Sequence, residues 1–166
     1  MPKSVLELYQ LRYDGKGWLK EADPVFRKAF FTAIKAFLNE AVGHIPLWHG
    51  MARGSLLKVA AYVNPKVPGN PVVIPLSPLK GPSRINLGQQ LIEFTFKFEA
   101  GKYFFSIEPR VEHFRYLDRN AGASPTSPWE SFKHGRKAFV RVLKEELKNV
   151  PRPKLIKTRV TKGRKI

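Results

Sequence analysis

The sequence predicts an α+β fold: an antiparallel β-sheet packed with two main amphipathic helices, an extended proline-rich arm and a basic C-terminal tail. Two segments repeat apolar residues at helical spacing, and a third alternates apolar with polar residues as a strand does. With 166 residues and 43% hydrophobic content, the chain can build one core. We therefore expect one domain over residues 1–150 and a tail over residues 151–166.

The first long helix is predicted to follow a short N-terminal element. Residues 4–12 fit a helix or a strand, and Asp14 with two nearby glycines predicts a turn. Asp23 is then the expected helix cap, Pro24 the first helical residue, and Gly43 the stop. The apolar face of this helix consists of Phe26, Phe30, Ala33, Ile34, Phe37, Leu38 and Ala41.

A proline-rich segment separates this helix from the predicted sheet. Residues 56–63 fit a short helix or a strand, and residues 64–88 then contain six prolines and three glycines. Prolines at such intervals suit an extended arm and do not suit the interior of a sheet. We expect the arm to pack on a neighbouring subunit through Pro71, Pro75 and Pro78. A surface loop on the chain's own fold is the alternative.

The clearest strand pattern lies in the segment LIEFTFKFEAGKYFFSIE. Apolar side chains alternate with polar ones on both sides of EAGK, which predicts a β-hairpin with one buried face. The predicted buried residues are Ile92, Phe94, Phe96, Phe98, Tyr103, Phe105 and Ile107. Since a single hairpin is marginally stable, this one must pack on helices or further strands.

A second long helix is predicted near the C-terminus. Ser127 is the expected cap, Pro128 the first helical residue and Glu130 the third, which together form a capping box. The predicted apolar face consists of Trp129, Phe132, Phe139, Val142, Leu143, Leu147 and Val150. Pro151 is expected to end the helix.

The net charge of +17 indicates a polyanionic partner: nucleic acid, an acidic protein surface or anionic lipid. From residue 133 onward lie thirteen of the 30 lysines and arginines but only two of the 13 acidic residues, so this segment carries most of the excess. Its end lacks apolar periodicity and is expected to be a mobile tail that contacts DNA or a partner without sequence preference. The predicted contacts are Arg152, Lys154, Lys157, Arg159, Lys162, Arg164 and Lys165.

The sequence contains no constellation that predicts catalysis. There is no cysteine, and no two of the four histidines stand at the i, i+4 spacing of a helical metal pair. Carboxylates are few and scattered, so no acid–base pair is predicted. We expect no enzymatic activity, no cofactor and no metal site. Because neither a signal peptide nor a membrane-spanning segment is predicted, we also expect cytoplasmic synthesis and no membrane partner.

The order of these elements resembles the neck or tail-completion proteins of tailed bacteriophages, the head–tail connector group. In many of these a helix leads into a Pro-x-x-x-Gly-x-x-x-x-Ser segment, and Pro46, Gly50 and Ser55 occupy those places here, with Arg53 between. An aromatic segment followed by a Pro-Trp helix start and a helical glycine is also similar. The residues that carry this second likeness are Phe114, Tyr116, Pro128, Trp129 and Gly135.

The resemblance implies a structural virion protein at the head–tail junction, made in the host cytoplasm and assembled as a ring. Its implied partners are further copies of itself, the adjacent portal, adaptor or stopper, or the tail-terminator and tail-tube proteins, and genome DNA through nonspecific charge contacts. Together with Pro71, Pro75 and Pro78 of the arm, the expected subunit-interface residues are Pro46, Trp48, Gly50, Met51, Arg53 and Ser55. A free, sequence-nonspecific nucleic-acid-binding protein is the alternative function.

Overall fold

The computed structural model describes residues 9–45, 51–74, 92–99, 102–111, 114–120 and 128–159. Helices pack there against an antiparallel two-stranded sheet, which confirms the α+β class. In chain order the elements are β1 (Tyr9–Tyr13), α1 (Gly15–His44), α2 (Met51–Gly54), α3 (Leu57–Val63), β2 (Ile92–Glu99), β3 (Lys102–Pro109), α4 (Phe114–Arg119), α5 (Ser131–Glu146) and β4 (Leu155–Arg159).

The long central helix α1 begins nine residues before the predicted start. Asp14 is its cap, and the Asp14 carboxylate accepts a hydrogen bond of 2.9 Å from the backbone N–H of Gly17. The predicted turn at this point and the predicted cap at Asp23 are therefore wrong. Pro24 lies inside the helix. An interior proline costs about 3 kcal/mol, so the packing of the first turns must offset it. Part of that packing is the hydrogen bond of 2.6 Å from the Trp18 indole to the Pro151 carbonyl.

The predicted hairpin is confirmed and covers one side of α1. Strands β2 and β3 pair antiparallel, with Phe96 opposite Phe105. Exposed and partly buried residues alternate along both strands, as the sequence pattern requires. The inner face stacks on α1: the Phe31 ring lies 4.9 Å from that of Phe98, and the Phe37 ring lies 6.0 Å from that of Phe105. Aromatic pairs at these separations stabilise the helix–sheet interface.

The first part of the proline-rich segment packs on its own core. After α3, residues Asn64–Lys66 form one turn of 3-10 helix. The Asn64 side chain then bonds the backbone of Val72 twice, donating to its carbonyl at 3.1 Å and accepting from its N–H at 2.7 Å. Val72 and Ile74 are buried in the core. Residues 64–74 are therefore not the extended arm that we predicted, while residues 75–88 lie outside the described ranges.

Helix α5 lies antiparallel along α1. The ring centroids of Phe37 and Phe132, near the start of α5, lie 5.4 Å apart. Those of Phe30 and Phe139, further along α5, lie 5.7 Å apart. Gly135 allows the backbone of α5 to pack close to α1. A Cβ at this position would lie 2.8 Å from the ring of Phe37 and 2.9 Å from the backbone carbonyl oxygen of Phe37. A side chain at this position would therefore collide with α1.

The cap of α5 differs from the predicted capping box. The helix begins at Ser131, and Glu130 before it adopts a left-handed backbone conformation with φ 48°. The cap is supplied from α4: the buried Asp118 carboxylate accepts from the Ser131 N–H at 2.7 Å and from the Ser131 hydroxyl. The prediction that Glu130 closes the cap is wrong, and Ser127 lies outside the described ranges. This cap also fixes α4 against the start of α5.

Between α5 and residue 159 the chain does not form a separate mobile tail. Strand β4 pairs antiparallel with β1, and Tyr13 lies opposite Leu155. Residues 155–159 therefore belong to the fold, and the predicted boundary at residue 150 is wrong for them. Apolar periodicity does not predict this strand, because backbone pairing needs only unpaired N–H and C=O groups on both segments.

Candidate polyanion-binding groove

An open groove runs between α5 and the wall formed by α4 and the end of β3. Its volume is about 1060 Å³. The floor is apolar and includes Ile107, Phe114 and Phe132, which belong to or pack against the core. The groove is therefore held by the same contacts that hold α1, α5 and the hairpin together.

Helix α5 lines the groove with five exposed cations. Successive residues are three, one, four and three positions apart, which keeps all five along one side of a helix with 3.6 residues per turn. The rise of 1.5 Å per residue spreads them over about 16 Å. That length matches roughly five phosphates along one strand of a DNA duplex. The five cations are Lys133, Arg136, Lys137, Arg141 and Lys144.

Helix α4 adds Arg115 and Arg119 to the opposite wall. Arg119 is the last residue of α4, one position after the Asp118 that caps α5. The backbone also joins this wall to the start of α5, because the N–H of Glu130 donates to the Asp118 carbonyl at 3.0 Å. The two basic walls are thus held in register before any ligand binds.

Three carboxylates line the described part of the groove, and all of them are already engaged. Asp118 caps α5, Glu108 pairs with Arg115, and Glu130 pairs with Lys133 at 2.5 Å. The hydrogen bond from Lys133 holds the pKa of Glu130 below its ordinary value, so this residue stays ionised. Five further cations line the groove, and within the described ranges none of them forms an ion pair: Arg119, Arg136, Lys137, Arg141 and Lys144. This excess positive charge is available to an anionic partner.

The chemistry of the groove suits charge contacts with a phosphate-rich ligand. Guanidinium groups bind phosphate oxygens with two parallel hydrogen bonds, and lysines add point charges. The apolar floor is partly open, with Val140 of α5 40% exposed. The flexible cations and the open floor are typical of binding without sequence preference.

Two predicted interface residues have internal roles. The Arg53 guanidinium donates to the carbonyl of Ile45 at 2.6 Å, and burial lowers the pKa of Arg53. The Ser55 hydroxyl donates to the Ala52 carbonyl at 2.7 Å, and Ser55 is only 4% exposed. Both side chains hold the segment after α1 against its own chain. We therefore leave Ser55 and Arg53 out of the expected subunit interface and assign them to this turn.

The remaining predicted interface residues are only partly described. Pro71 is exposed, and Met51 begins α2, although its side chain lies outside the description. Their contact with a neighbour stays a prediction. Pro46, Trp48, Gly50, Pro75 and Pro78 lie outside the described residues.

The predicted basic-tail residues flank and enter β4. Arg152, Lys154 and Lys157 are exposed, and the Lys154 ammonium forms an ion pair of 3.1 Å with Glu21 of α1. Arg159 is described only as the last residue of the strand. Their contact with DNA or a partner remains a prediction. Lys162, Arg164 and Lys165 lie outside the described residues.

The groove itself was missed in the sequence, although part of its signal was present. From the sequence, the excess positive charge is assigned to the C-terminal tail. However, cations at i, i+4 and i+8 from Lys133 also predict a basic face on the second long helix. The opposite wall could not be found, since α4 lies beside α5 only through tertiary contacts. A basic helical face should therefore have been considered beside the tail.

Comparison of the chain with protein-family models, with curated proteins and with solved structures gave no match. Among the helices of the described ranges, none has a stretch long and apolar enough to cross a membrane.

Proposed function

We propose that this chain is a structural protein of the neck of a tailed bacteriophage, which joins head and tail through subunit contacts and faces packaged DNA with its basic groove. The observation that carries the DNA-facing part is the set of five groove cations that lack an ion pair within the described chain. A row of cations near a confined polyanion releases counterions and retains the nucleic acid. The neck assignment itself is supported by the sequence resemblance.

Surface features support assembly with further copies. Each described sheet has two strands, so the outer edge of every strand lacks a strand partner within the described ranges. Such edges accept a strand from a neighbouring molecule. Three apolar side chains of the β1–β4 pair are exposed: Tyr13 by 70%, Leu155 by 52% and Ile156 by 46%. Exposed apolar groups of this size next to open strand edges favour a protein–protein contact.

The first experiment is mass spectrometry of density-purified virus particles after nuclease treatment and a high-salt wash. A neck component stays with DNA-filled particles at a low copy number that fits one ring. Loss of the chain with the nuclease digest would contradict the neck assignment and favour a free nucleic-acid-binding protein. The groove is the observation that supports this second function, because it would serve a monomer equally well.

The role of the basic C-terminal residues needs point substitutions. Deleting residues 152–166 would remove β4 and the pairing of β1, so lost assembly could simply reflect a damaged fold. The combined change Arg152→Gln and Lys154→Gln lowers the charge while β4 stays intact. Reduced DNA retention in particles with this variant is expected if the segment contacts DNA, and unchanged retention would count against that contact.

A further inference from the structure

Two histidines and a glutamate from different helices meet beside the crossing of α1 and α5. The Nε2 atom of His44 lies 3.4 Å from a carboxylate oxygen of Glu40, one turn earlier on α1. The ring of His134 on α5 stacks on the His44 ring, with centroids 3.9 Å apart and planes 16° apart. One potential ligand atom from each of the three residues lies within 4.8 Å of the other two.

The fold explains why these side chains meet. Gly135, next to His134, packs tightly on Phe37 of α1, since a Cβ there would lie 2.8 Å from the Phe37 ring. His44 lies seven residues after Phe37, two helical turns further along the same side of α1. The antiparallel packing then carries the start of α5 past the end of α1. The position of the cluster is thus set by the packed core, and the three side chains project from rigid helices.

A second glutamate extends the cluster. Glu130 lies one turn before His134, and one of its carboxylate oxygens is 3.8 Å from the His134 Nε2 atom. A Glu and a His four positions apart thus come from the end of α1 and from the start of α5, where Glu130 is the residue before the helix. The side chains of the central three are between 33% and 45% exposed, which leaves an ion free access from solvent.

Imidazole nitrogens combined with a carboxylate oxygen are the ligand set of zinc and related divalent ions. A tetrahedral ion about 2.1 Å from each ligand needs ligand atoms about 3.4 Å apart, so the Glu40–His44 pair already fits. Because a metal lies in the plane of each imidazole that binds it, the partly exposed His134 ring must rotate out of its stack on His44 to bring its nitrogen to the same ion. We propose that Glu40, His44 and His134 bind a divalent transition-metal ion such as Zn²⁺, with Glu130 or water as the fourth ligand. The ion would link the end of α1 to the start of α5. This site is independent of the proposed neck function.

The sequence predicts no metal site, because no two of its histidines stand four positions apart on one helix. Here the nitrogen ligands come from two helices and are 90 positions apart in the chain. Only the α1–α5 packing brings them together.

The test uses the untagged full-length chain, stripped with EDTA and titrated with CoCl₂ under visible absorption, then with ZnCl₂ by calorimetry. We expect about one Co²⁺ per chain, with the intense visible bands of a four-coordinate ion, and displacement of Co²⁺ by Zn²⁺. Changing His44→Ala or His134→Ala should each weaken Zn²⁺ binding at least tenfold, about the loss that even an outer-shell substitution causes. Glu145→Gln, which removes an exposed carboxylate at the far end of α5, is the matched control and should bind as wild type.

Two results with the wild-type protein and the histidine variants would overturn the proposal. One is the absence of Co²⁺ bands and of Zn²⁺ heat in the wild-type protein. The other is wild-type affinity in the double variant His44→Ala and His134→Ala, which would assign the binding to other groups. Circular dichroism checks that the variants fold. If a histidine variant unfolds, Glu40→Gln keeps both stacked rings and should still weaken binding, and unchanged affinity there would also contradict the site.

Discussion

Removing three cations from the α5 side of the groove should lower both DNA affinity and its dependence on salt. The variant carries Arg136→Gln, Lys137→Gln and Arg141→Gln, all of which line the groove. In the described chain none of the three forms an ion pair, so their loss leaves no carboxylate without its partner. The fold should therefore persist, and the change should act mainly on the ligand.

The expected magnitude follows from counterion release. Each phosphate contact contributes about −0.9 to the slope of log affinity against log salt for duplex DNA. Three lost contacts make the slope shallower by about 2.7, so between about 50 and about 200 mM salt the affinity gap between wild type and variant should narrow by about 40-fold. Fluorescence anisotropy with a labelled duplex measures both slopes directly.

A charge-matched variant separates the groove from general basicity. Lys16→Gln, Lys20→Gln and Lys28→Gln remove the same charge from exposed positions on α1 that do not line the groove. We expect this control to change the slope much less. Equal slopes in the two triple variants would refute the groove as the DNA contact and leave only the overall charge.

Three further predictions concern the packing that shapes the groove and the core. Gly135→Ala should lower the free energy of unfolding by about 1–3 kcal/mol through overpacking, whereas Gly43→Ala, with no atom near its added Cβ, should be neutral or raise it by up to about 1 kcal/mol in chemical denaturation. Asp118→Ala should cost about 1–2 kcal/mol in the same assay, because it leaves the first N–H of α5 without its cap, and it should also weaken DNA binding by releasing α4. Tyr103→Phe should cost about 1 kcal/mol at neutral pH, and the cost should shrink in acid. The Tyr103 hydrogen bond lowers the pKa of Asp23 below its ordinary value of 3.8, so this stabilisation is complete above that pH and is lost as the pH falls through the folded-state pKa.

The same tyrosine gives a check at high pH. Burial, followed by the bond to Asp23, raises the pKa of Tyr103 to about 12 from its ordinary value of 10.0. The stabilisation is therefore present below pH 10 and is lost as the pH rises toward 12, and Tyr103→Phe should remove this loss. If the free energies of unfolding of wild type and Tyr103→Phe differ by the same amount at every pH, the role of the Tyr103–Asp23 pair is contradicted. Equal stability of Gly135→Ala and Gly43→Ala, or an Asp118→Ala variant as stable as wild type, would contradict the other two.

Local patterns in the sequence predicted the elements whose formation depends on near neighbours. Phe94, Phe96 and Phe98 alternate with polar residues, and this alternation alone predicts a strand with one buried face. The helical spacing of apolar residues likewise predicted the bodies of α1 and α5. These patterns are read correctly because burial on one face of a helix or strand repeats with the period of the backbone.

Helix ends and the chain termini were not predictable in this way. Pro24 looks like a first helical residue, but Asp14 caps the helix earlier and the surrounding packing tolerates the interior proline. Asp118 caps α5 from another element, and no local pattern reports a donor and acceptor thirteen positions apart. Strand β4 forms because β1 is there to pair with it.

By itself, the sequence determined the α+β class, the hairpin, the approximate positions of two long helices and the strong positive charge. Only the tertiary structure decided that α4 and α5 enclose a basic groove and that His44 meets His134. The physical reason is the sequence separation of the contacts. Periodicity and composition report only interactions between residues that are close together in the chain. A site is made from side chains of distant segments, and their distances are fixed by contacts such as that of Gly135 with Phe37.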